Sequence, residues 1–254
     1  MKLFAAATFA ALAFAGALAG AAQAETISVA PFGNIAVYRP AGPPKSMTLF
    51  LSGDGGWELG VVPMAKKLAD EGAIVLGVNT PKFLAALDAQ SGQCTDPAGE
   101  LASLAKTVAA KEGIKVPPPV VVGYSSGATI AYTVLVQSPT GFSGGIGLGF
   151  CPDLESAKPM CGGPGGLTHV KNPKAKGFIY GTTPKLGAPF IALQGGKDQV
   201  CMPKATDAFI SKVKNARVAD LPLVGHGFSV PKNWMPQYVE AYRSITGGQK
   251  EAAQ

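Results

Sequence analysis

Charged residues and histidines are scarce in this sequence, and both shortages limit what the chain can be. Only 15% of its 254 residues are Asp, Glu, Lys or Arg, 47% are hydrophobic, and two are histidine. A disordered protein needs the opposite balance of low hydrophobicity and high net charge. The chain also lacks the internal repeat that would indicate a solenoid or a propeller. A folded protein with a substantial hydrophobic core is therefore expected.

Long apolar runs are missing except at the N-terminus. There, Lys2 precedes an alanine-rich apolar run over residues 3–22, which ends in the small-residue sequence Ala22-Gln23-Ala24. This order of charge, apolar region and small residues is typical of a secretory signal peptide. We predict a signal peptide over residues 1–24, cleaved before Glu25; a retained membrane anchor is the alternative. No later run has the roughly 18 apolar residues that a spanning helix needs, so residues 25–254 are predicted to be exported as one domain.

The cysteine pattern lacks the C-x-x-C spacing that is common in zinc sites. An even number of cysteines in an exported chain predicts two disulfides, with three pairings open. With only two histidines in the chain, zinc is the less favoured alternative. The candidate disulfide residues are Cys94, Cys151, Cys161 and Cys201.

Short β-branched runs alternate with amphipathic stretches along the chain. Residues 73–78 form a continuous apolar run of the kind that a strand buried on both faces requires. Strands alternating with helices predict βαβ units, and hence an α/β fold in which a mostly parallel sheet lies between two helical layers. The predicted strands are 47–52, 73–78, 120–122, 144–150, 189–193 and 217–221, and the predicted helices are 59–71, 100–112, 129–137, 207–214 and 234–245.

The segment 151–187 interrupts this alternation and is rich in glycine and lysine. Connections of this length in compact domains are commonly lids, binding loops or disordered segments. Since it lies between two predicted strands, we predict a lid or insertion over a site at the strand ends. A surface excursion held by a disulfide remains open.

One motif, Gly123-Tyr-Ser-Ser-Gly127, matches G-x-S-x-G in a favourable context. The predicted strand 120–122 precedes it and an apolar helix follows it. A sharp turn between strand and helix lifts a serine hydroxyl above the sheet, where it can act as a nucleophile. Ser125 is therefore the candidate nucleophile, with a purely structural turn as the alternative.

A serine nucleophile needs a base, and the base needs a carboxylate that orients it. His226 follows the last predicted strand and lies between two glycines, whereas His169 lies in the lysine-rich segment. We predict His226 as the base. Asp198 follows the strand 189–193 and is the predicted acid; the alternatives are Asp153 and Asp220.

The glycine-rich loop over residues 52–57 follows the first predicted strand. Glycines allow the backbone to approach a substrate, so the backbone N–H groups of Asp54 and Ser126 are predicted to form an oxyanion hole. Trp57 and Tyr124 are predicted to contact the substrate. An ordinary glycine turn is the alternative for the loop.

Sequence patterns for cofactors and nucleic acids are absent. The chain has no G-x-x-x-x-G-K-[ST] motif, and the glycines at 145, 147 and 149 lie inside a predicted strand. We therefore predict no cofactor, no metal and no nucleic-acid partner. The formal net charge of +6 is compatible with peripheral contact with an anionic membrane.

Three of these motifs together resemble the bacterial virulence protein VirJ/AcvB family. They are Leu51-Ser-Gly-Asp-Gly-Gly-Trp57, Gly123-Tyr-Ser-Ser-Gly-Ala128 and Gly225-His-Gly-Phe228. The similarity spans most of residues 45–245 and is greatest to the first half of the long AcvB-type members. It implies the α/β-hydrolase fold, a periplasmic location and the triad Ser125, Asp198 and His226. The implied reaction is hydrolysis of the aminoacyl ester of lysyl-phosphatidylglycerol.

The favoured function is therefore a periplasmic serine esterase acting on a lipid or small-molecule ester. A non-catalytic adaptor that supports secretion or virulence by binding a protein partner is the alternative, because a fold does not fix a function. A peptidase or an acyl-chain lipase also stays open, since specificity depends on the pocket.

Overall fold

The computed structural model describes residues 24–57 and 60–247. The predicted signal peptide lies outside these residues, apart from Ala24. Within the described ranges, no helix combines the length and the apolar character needed to cross a membrane.

The described residues form two β-sheets, six α-helices and one 3₁₀ turn. The strands are β1 Ala24–Val29, β2 Gly33–Tyr38, β3 Ser46–Leu51, β4 Ala73–Val78, β5 Val120–Tyr124, β6 Gly144–Leu148, β7 Asp153–Leu154, β8 His169–Lys171, β9 Phe178–Tyr180, β10 Lys185–Gly195 and β11 Lys214–Leu221. The helices are α1 Val62–Asp70, α2 Thr80–Ala89, α3 Pro97–Glu112, α4 Ser126–Gln137, α5 Pro203–Ile210 and α6 Met235–Gly247, and the 3₁₀ turn is Pro231–Asn233.

The central sheet has eight strands in the order β1-β2-β4-β3-β5-β6-β10-β11. All neighbours from β4 to β11 pair in parallel, while β1 and β2 add an antiparallel edge. The prediction of a mostly parallel sheet is confirmed. The carboxyl ends of the parallel strands meet along one edge, which is where ligands bind in sheets of this kind.

Hydrophobic side chains cover both faces of this sheet. Because side chains alternate along a strand, Leu49 of β3 packs towards the layer of α2, α3, α4 and α5, whereas Phe50 packs towards α1 and α6. Strand β4 is buried at every position, as predicted. Helix α4 is buried from Gly127 to Gln137 and lies directly behind the nucleophile turn.

Several boundaries and elements differ from the sequence predictions. Helix α5 begins at Pro203 and ends at Ile210 rather than covering 207–214, and β11 already begins at Lys214. Helix α2 and the β1–β2 hairpin were not predicted. The sequence does contain a signal for the start of α2, because asparagine is a preferred N-cap residue. In the structure the Asn79 side chain caps α2 by accepting the Lys82 N–H at 3.2 Å.

The segment 151–187 contains an antiparallel sheet in the order β7-β9-β8. The Asp88 carboxylate of α2 anchors it by accepting the N–H groups of Ala157 at 2.8 Å and Lys158 at 3.0 Å. The segment is thus attached to the helical layer beside the sheet edge. Its role as a lid stays a prediction.

All four cysteines form disulfides, in the pairs Cys94–Cys161 and Cys151–Cys201. The prediction of two disulfides is confirmed. Since each sulfur is bonded to another, the zinc alternative is wrong.

Candidate active site

Ser125 occupies the sharp turn between β5 and α4. Its backbone has φ 54° and ψ −120°, a conformation that non-glycine residues rarely adopt and that is concentrated at functional sites. Two hydrogen bonds hold it: the Ser125 N–H donates to the Leu148 carbonyl at 2.9 Å, and its own carbonyl accepts the Ala128 N–H at 2.8 Å. The hydroxyl is thereby raised at the carboxyl edge of the sheet.

The two glycines of the motif are required by close packing of the turn. A Cβ on Gly123 would overlap the carbonyl of Gly127, and a Cβ on Gly127 would overlap the carbonyl of Leu51. Both obstacles are backbone atoms, which cannot rotate away. The spacing G-x-S-x-G therefore follows from the approach of α4 to β5 and to the end of β3.

The structure brings Ser125, His226 and Asp198 together in one chain of hydrogen bonds. His226 Nε2 lies 3.0 Å from Ser125 Oγ, and His226 Nδ1 lies 2.8 Å from Asp198 Oδ2. The imidazole is 18% exposed and the carboxylate is fully buried. This geometry allows the imidazole to accept the serine proton while the carboxylate holds the tautomer with the proton on Nδ1.

The second oxygen of Asp198 is held by the backbone of its own loop. Asp198 Oδ1 accepts the N–H groups of Val200 and Cys201, each at 2.9 Å. A buried carboxylate is costly unless it is hydrogen-bonded, and here both oxygens have partners. The loop after β10 therefore fixes which way the carboxylate faces.

The alternative base and acids lie elsewhere. His169 is exposed on β8, where its ring packs edge-on against Phe178 with centroids 5.4 Å apart. Asp153 and Asp220 are both exposed. Within the described residues, none of the three side chains hydrogen-bonds to Ser125 or His226.

The glycine-rich loop after β3 packs directly against the nucleophile. A Cβ on Gly53 would lie 3.2 Å from Ser125 Cβ and 3.0 Å from the Tyr124 ring, so the next amide, that of Asp54, is close to the serine. The Ser126 N–H belongs to the first turn of α4 and has no intrahelical acceptor. Within residues 24–57 and 60–247, neither N–H donates to another protein group. Such N–H groups can stabilise an oxyanion.

Trp57, which was predicted to contact the substrate, is a buried residue. The side chain is only 9% exposed and lies in the core beneath the loop. Its ring fills the space left by Gly77 of β4 and meets Phe50 edge-on at 5.6 Å, while Nε1 donates to the Tyr38 hydroxyl at 3.3 Å. The indole therefore supports the loop from below.

Tyr124 contacts the loop that carries the base, and its predicted contact with the substrate stays a prediction. Its hydroxyl donates to the His226 carbonyl at 3.1 Å, and its ring centroid lies 5.6 Å from that of the imidazole. Burial raises the pKa of the Tyr124 hydroxyl, and the negative charges of Asp198 and Asp54 raise it further. The hydroxyl therefore stays protonated and remains a donor at neutral pH.

Tyr124→Phe should lower kcat by about three- to tenfold with KM nearly unchanged, because a net hydrogen bond contributes about 1 kcal/mol and this one positions His226. Steady-state kinetics on a soluble ester measures both constants. Tyr132→Phe is the matched control, since the Tyr132 hydroxyl also donates to a backbone carbonyl, that of Gly181 at 3.3 Å. Equal kcat in the two variants would contradict a positioning role for Tyr124.

A cleft of about 720 Å³ lies next to Asp54. One wall is α2, with Pro81, Leu84, Ala85 and Asp88, and the other is the segment 151–187. The lining residues of that segment are Glu155, Ser156, Ala157, Lys171, Asn172, Ala175, Lys176, Gly177 and Phe178. The helical wall of the cleft is thus mostly apolar apart from Asp88, and the cleft as a whole carries both signs of charge.

Several solved structures with a similar fold are hydrolases. The chain is similar to Est1E from Butyrivibrio proteoclasticus (14% identity, TM-score 0.55, 89% of this chain and 99% of that one). It is also similar to the esterase domain of a Rhodothermus marinus protein (13% identity, TM-score 0.54, 87% of this chain and 97% of that one). A third similar structure is the acylaminoacyl peptidase of Pyrococcus horikoshii (12% identity, TM-score 0.60, 89% of this chain and 42% of that one). These likenesses confirm the α/β-hydrolase fold.

The family resemblance is confirmed over part of the chain. The sequence profile of the family described as bacterial virulence protein (VirJ) matches residues 45–141. This range contains the Asp54 loop and the Ser125 turn, but neither Asp198 nor His226. No curated protein sequence matches the chain.

Proposed function

We propose that the protein is a periplasmic serine hydrolase that cleaves the aminoacyl ester of lysyl-phosphatidylglycerol into lysine and phosphatidylglycerol. The observation that carries the proposal is the chain of hydrogen bonds from Ser125 through His226 to Asp198. The esterases among the fold neighbours support hydrolysis, and the VirJ match over residues 45–141 supports the family resemblance from which the lipid substrate is inferred. The predicted signal peptide and the two disulfides support an oxidising, exported location.

Acylation begins when Ser125 Oγ attacks the ester carbonyl carbon while His226 Nε2 takes its proton. Asp198 keeps the other proton on Nδ1 and stabilises the imidazolium. The carbonyl oxygen becomes negative and accepts the backbone N–H groups of Asp54 and Ser126. Collapse of this intermediate breaks the bond to the glycerol oxygen, which takes the proton from Nε2 and leaves as phosphatidylglycerol.

Deacylation repeats these steps with water as the nucleophile. His226 Nε2 takes a proton from the water, whose oxygen attacks the lysyl ester of Ser125. The same two N–H groups bind the second oxyanion. When the bond to Ser125 Oγ breaks, that oxygen recovers its proton from His226 and lysine is released.

The charges of the cleft fit this substrate. In an aminoacyl ester an ammonium group lies one carbon from the reacting carbonyl, so it must lie close to the residue whose N–H binds the oxyanion. Asp54 is one of the two proposed donors, and this exposed residue lines the cleft. Lys171 and Lys176, on the opposite wall, provide positive charge for the lipid phosphate.

Asp54→Asn should lower kcat/KM for lysyl-phosphatidylglycerol in mixed micelles by about three- to tenfold, because a partly exposed ion pair is worth about 1 kcal/mol or less. The N–H donor is retained in asparagine. A short neutral p-nitrophenyl ester should therefore be hydrolysed at nearly the wild-type rate. Lysine release and nitrophenol absorbance measure the two reactions.

The matched control is Asp70→Asn, which removes an exposed carboxylate at the end of α1. Added salt should shrink the difference between the Asp54 variant and wild type, since ions screen exposed charges. An equal loss on the neutral ester would contradict recognition of the ammonium group.

A further inference from the structure

The disulfide Cys151–Cys201 joins the two loops that surround the buried acid. Cys151 follows β6 by three residues, and Cys201 lies in the loop after β10, three residues beyond Asp198. Their Cα atoms are 5.2 Å apart. The covalent link therefore lies at the carboxyl edge of the sheet, beside the hydrogen bond between His226 and Asp198.

One of its two residues holds the carboxylate directly. The Cys201 N–H donates to Asp198 Oδ1 at 2.9 Å, and the Cys201 carbonyl accepts the Gln194 side chain at 2.8 Å. Cys201 is 4% exposed. The position of its backbone thus sets the direction of one of the two N–H groups that orient the acid.

The other residue supplies a fixed anchor. The Cys151 carbonyl accepts the Thr129 hydroxyl of α4 at 2.6 Å, and the preceding carbonyl, that of Phe150, accepts the Thr206 hydroxyl of α5 at 2.9 Å. Gly149, at the start of this loop, packs so closely that a Cβ there would lie 3.2 Å from the imidazole of His226. The loop of Cys151 is therefore tied to two helices and touches the base.

We propose that the Cys151–Cys201 disulfide is a positioning element for the acid: it holds the Cys201 N–H against Asp198 and so keeps the carboxylate directed at His226. This proposal rests on the proposed function. Reduction to two thiols would leave the loop held by its hydrogen bonds alone. The Asp198 carboxylate could then turn away from Nδ1, and the imidazole would lose its fixed tautomer. Activity would thus depend on an oxidising compartment.

Two double variants test this proposal. Cys151→Ala/Cys201→Ala removes the proposed positioning link, and Cys94→Ala/Cys161→Ala removes the other disulfide. The two disulfides close loops with sequence separations of 50 and 67 residues. The chain-entropy contribution grows only with the logarithm of loop length, so both variants should lose similar thermal stability. Any difference in the site then reflects the position of the link.

Two readouts are needed. The first is the ¹H NMR resonance of the His226 Nδ1 proton, which is shifted downfield when this proton is bonded to Asp198 and requires no turnover. The second is the kinetics of a p-nitrophenyl ester. We expect the Cys151/Cys201 variant to lose the resonance and to lower kcat by about 10- to 100-fold with a nearly constant KM, since small misplacements of catalytic groups cost this much. The Cys94/Cys161 variant should retain the resonance.

The outcomes separate the two proposals. A Cys151/Cys201 variant that keeps the resonance and the kcat of the Cys94/Cys161 variant overturns the positioning role. A wild-type protein that shows the resonance but hydrolyses no ester refutes the proposed function, while the resonance of the variants still decides the role of the disulfide.

If the Cys151/Cys201 double variant does not fold, reduction of the folded wild type with a phosphine, which is oxidised to its oxide, replaces that variant. Loss of the resonance on reduction is then the expected result, and its persistence with both thiols free overturns the role.

Discussion

Ser125→Ala is expected to abolish ester hydrolysis, lowering kcat by about 10⁵- to 10⁶-fold. The variant lacks the oxygen that forms the acyl-enzyme, so only binding and the oxyanion donors remain to assist the attack of water. A loss of 10⁶-fold corresponds to about 8 kcal/mol of barrier. The elbow itself should stay folded, because its strained backbone is set by Gly123, Gly127 and the hydrogen bond from the Ser125 N–H to Leu148.

A fluorophosphonate probe tests the reactivity of the same Ser125 oxygen without a substrate. Mass spectrometry of the intact protein detects the covalent adduct. Wild type should gain one adduct, and Ser125→Ala should gain none. Ser211→Ala is the control, because it removes an exposed serine hydroxyl at the end of α5. Failure of the folded wild type to react would contradict the hydrolase proposal.

A complementation assay separates the enzyme from the adaptor. A protein that acts by binding a partner should work equally well with Ser125→Ala, since this change alters neither the surface charge nor the fold. Full complementation by this variant would favour the adaptor. Loss of complementation with normal protein levels would favour the enzyme.

The nucleophile and its partners were accessible from the sequence because each follows a strand of a parallel sheet. Parallel strands place their carboxyl ends at one edge, so Ser125 after β5, Asp198 after β10 and His226 after β11 are brought together by topology alone. The glycines at 123 and 127 added a local signal. The structure places Ser125 Oγ and Asp198 Oδ2 within hydrogen-bonding distance of the two ring nitrogens of His226.

The burial of Trp57 is a feature that this reasoning did not predict. A residue beside a glycine loop can face the substrate or the core, and the sequence looks the same in both cases. The indole can face the core because Gly77 of β4 has no side chain, which leaves room for the ring. The sequence around Trp57 does not contain this information. The cysteine pairing was undecided for the same reason, since both bonds join loops that only the tertiary fold brings together.

Other features have weak local signals. The strands β7, β8 and β9 have two or three residues each, too few for an alternating pattern to be recognised. They are held in place by long-range contacts, such as those from Asp88 to Ala157 and Lys158. The hydrogen bond of Tyr124 to the His226 loop spans 102 residues. No window of the sequence contains both of its ends.

His226→Ala is expected to lower kcat by about the same 10⁵- to 10⁶-fold as Ser125→Ala, because a serine hydroxyl is a poor nucleophile without its base. KM should change little, since the imidazole acts on the serine proton and on the leaving oxygen. The chain offers a close control. His169→Ala removes the other histidine, which is exposed on β8, and should leave kcat within about twofold of wild type.

The double variant Ser125→Ala/His226→Ala gives the sharper test. If the two residues act as one unit, its kcat should match that of either single variant, because removing one partner already disables the other. Losses that multiply, giving about 10¹⁰-fold or more, would mean that His226 acts independently of Ser125. A small effect of His226→Ala beside a large effect of His169→Ala would place the base on β8 instead. Steady-state release of nitrophenol from a p-nitrophenyl ester measures kcat for all of these variants, including those that cannot form an acyl-enzyme.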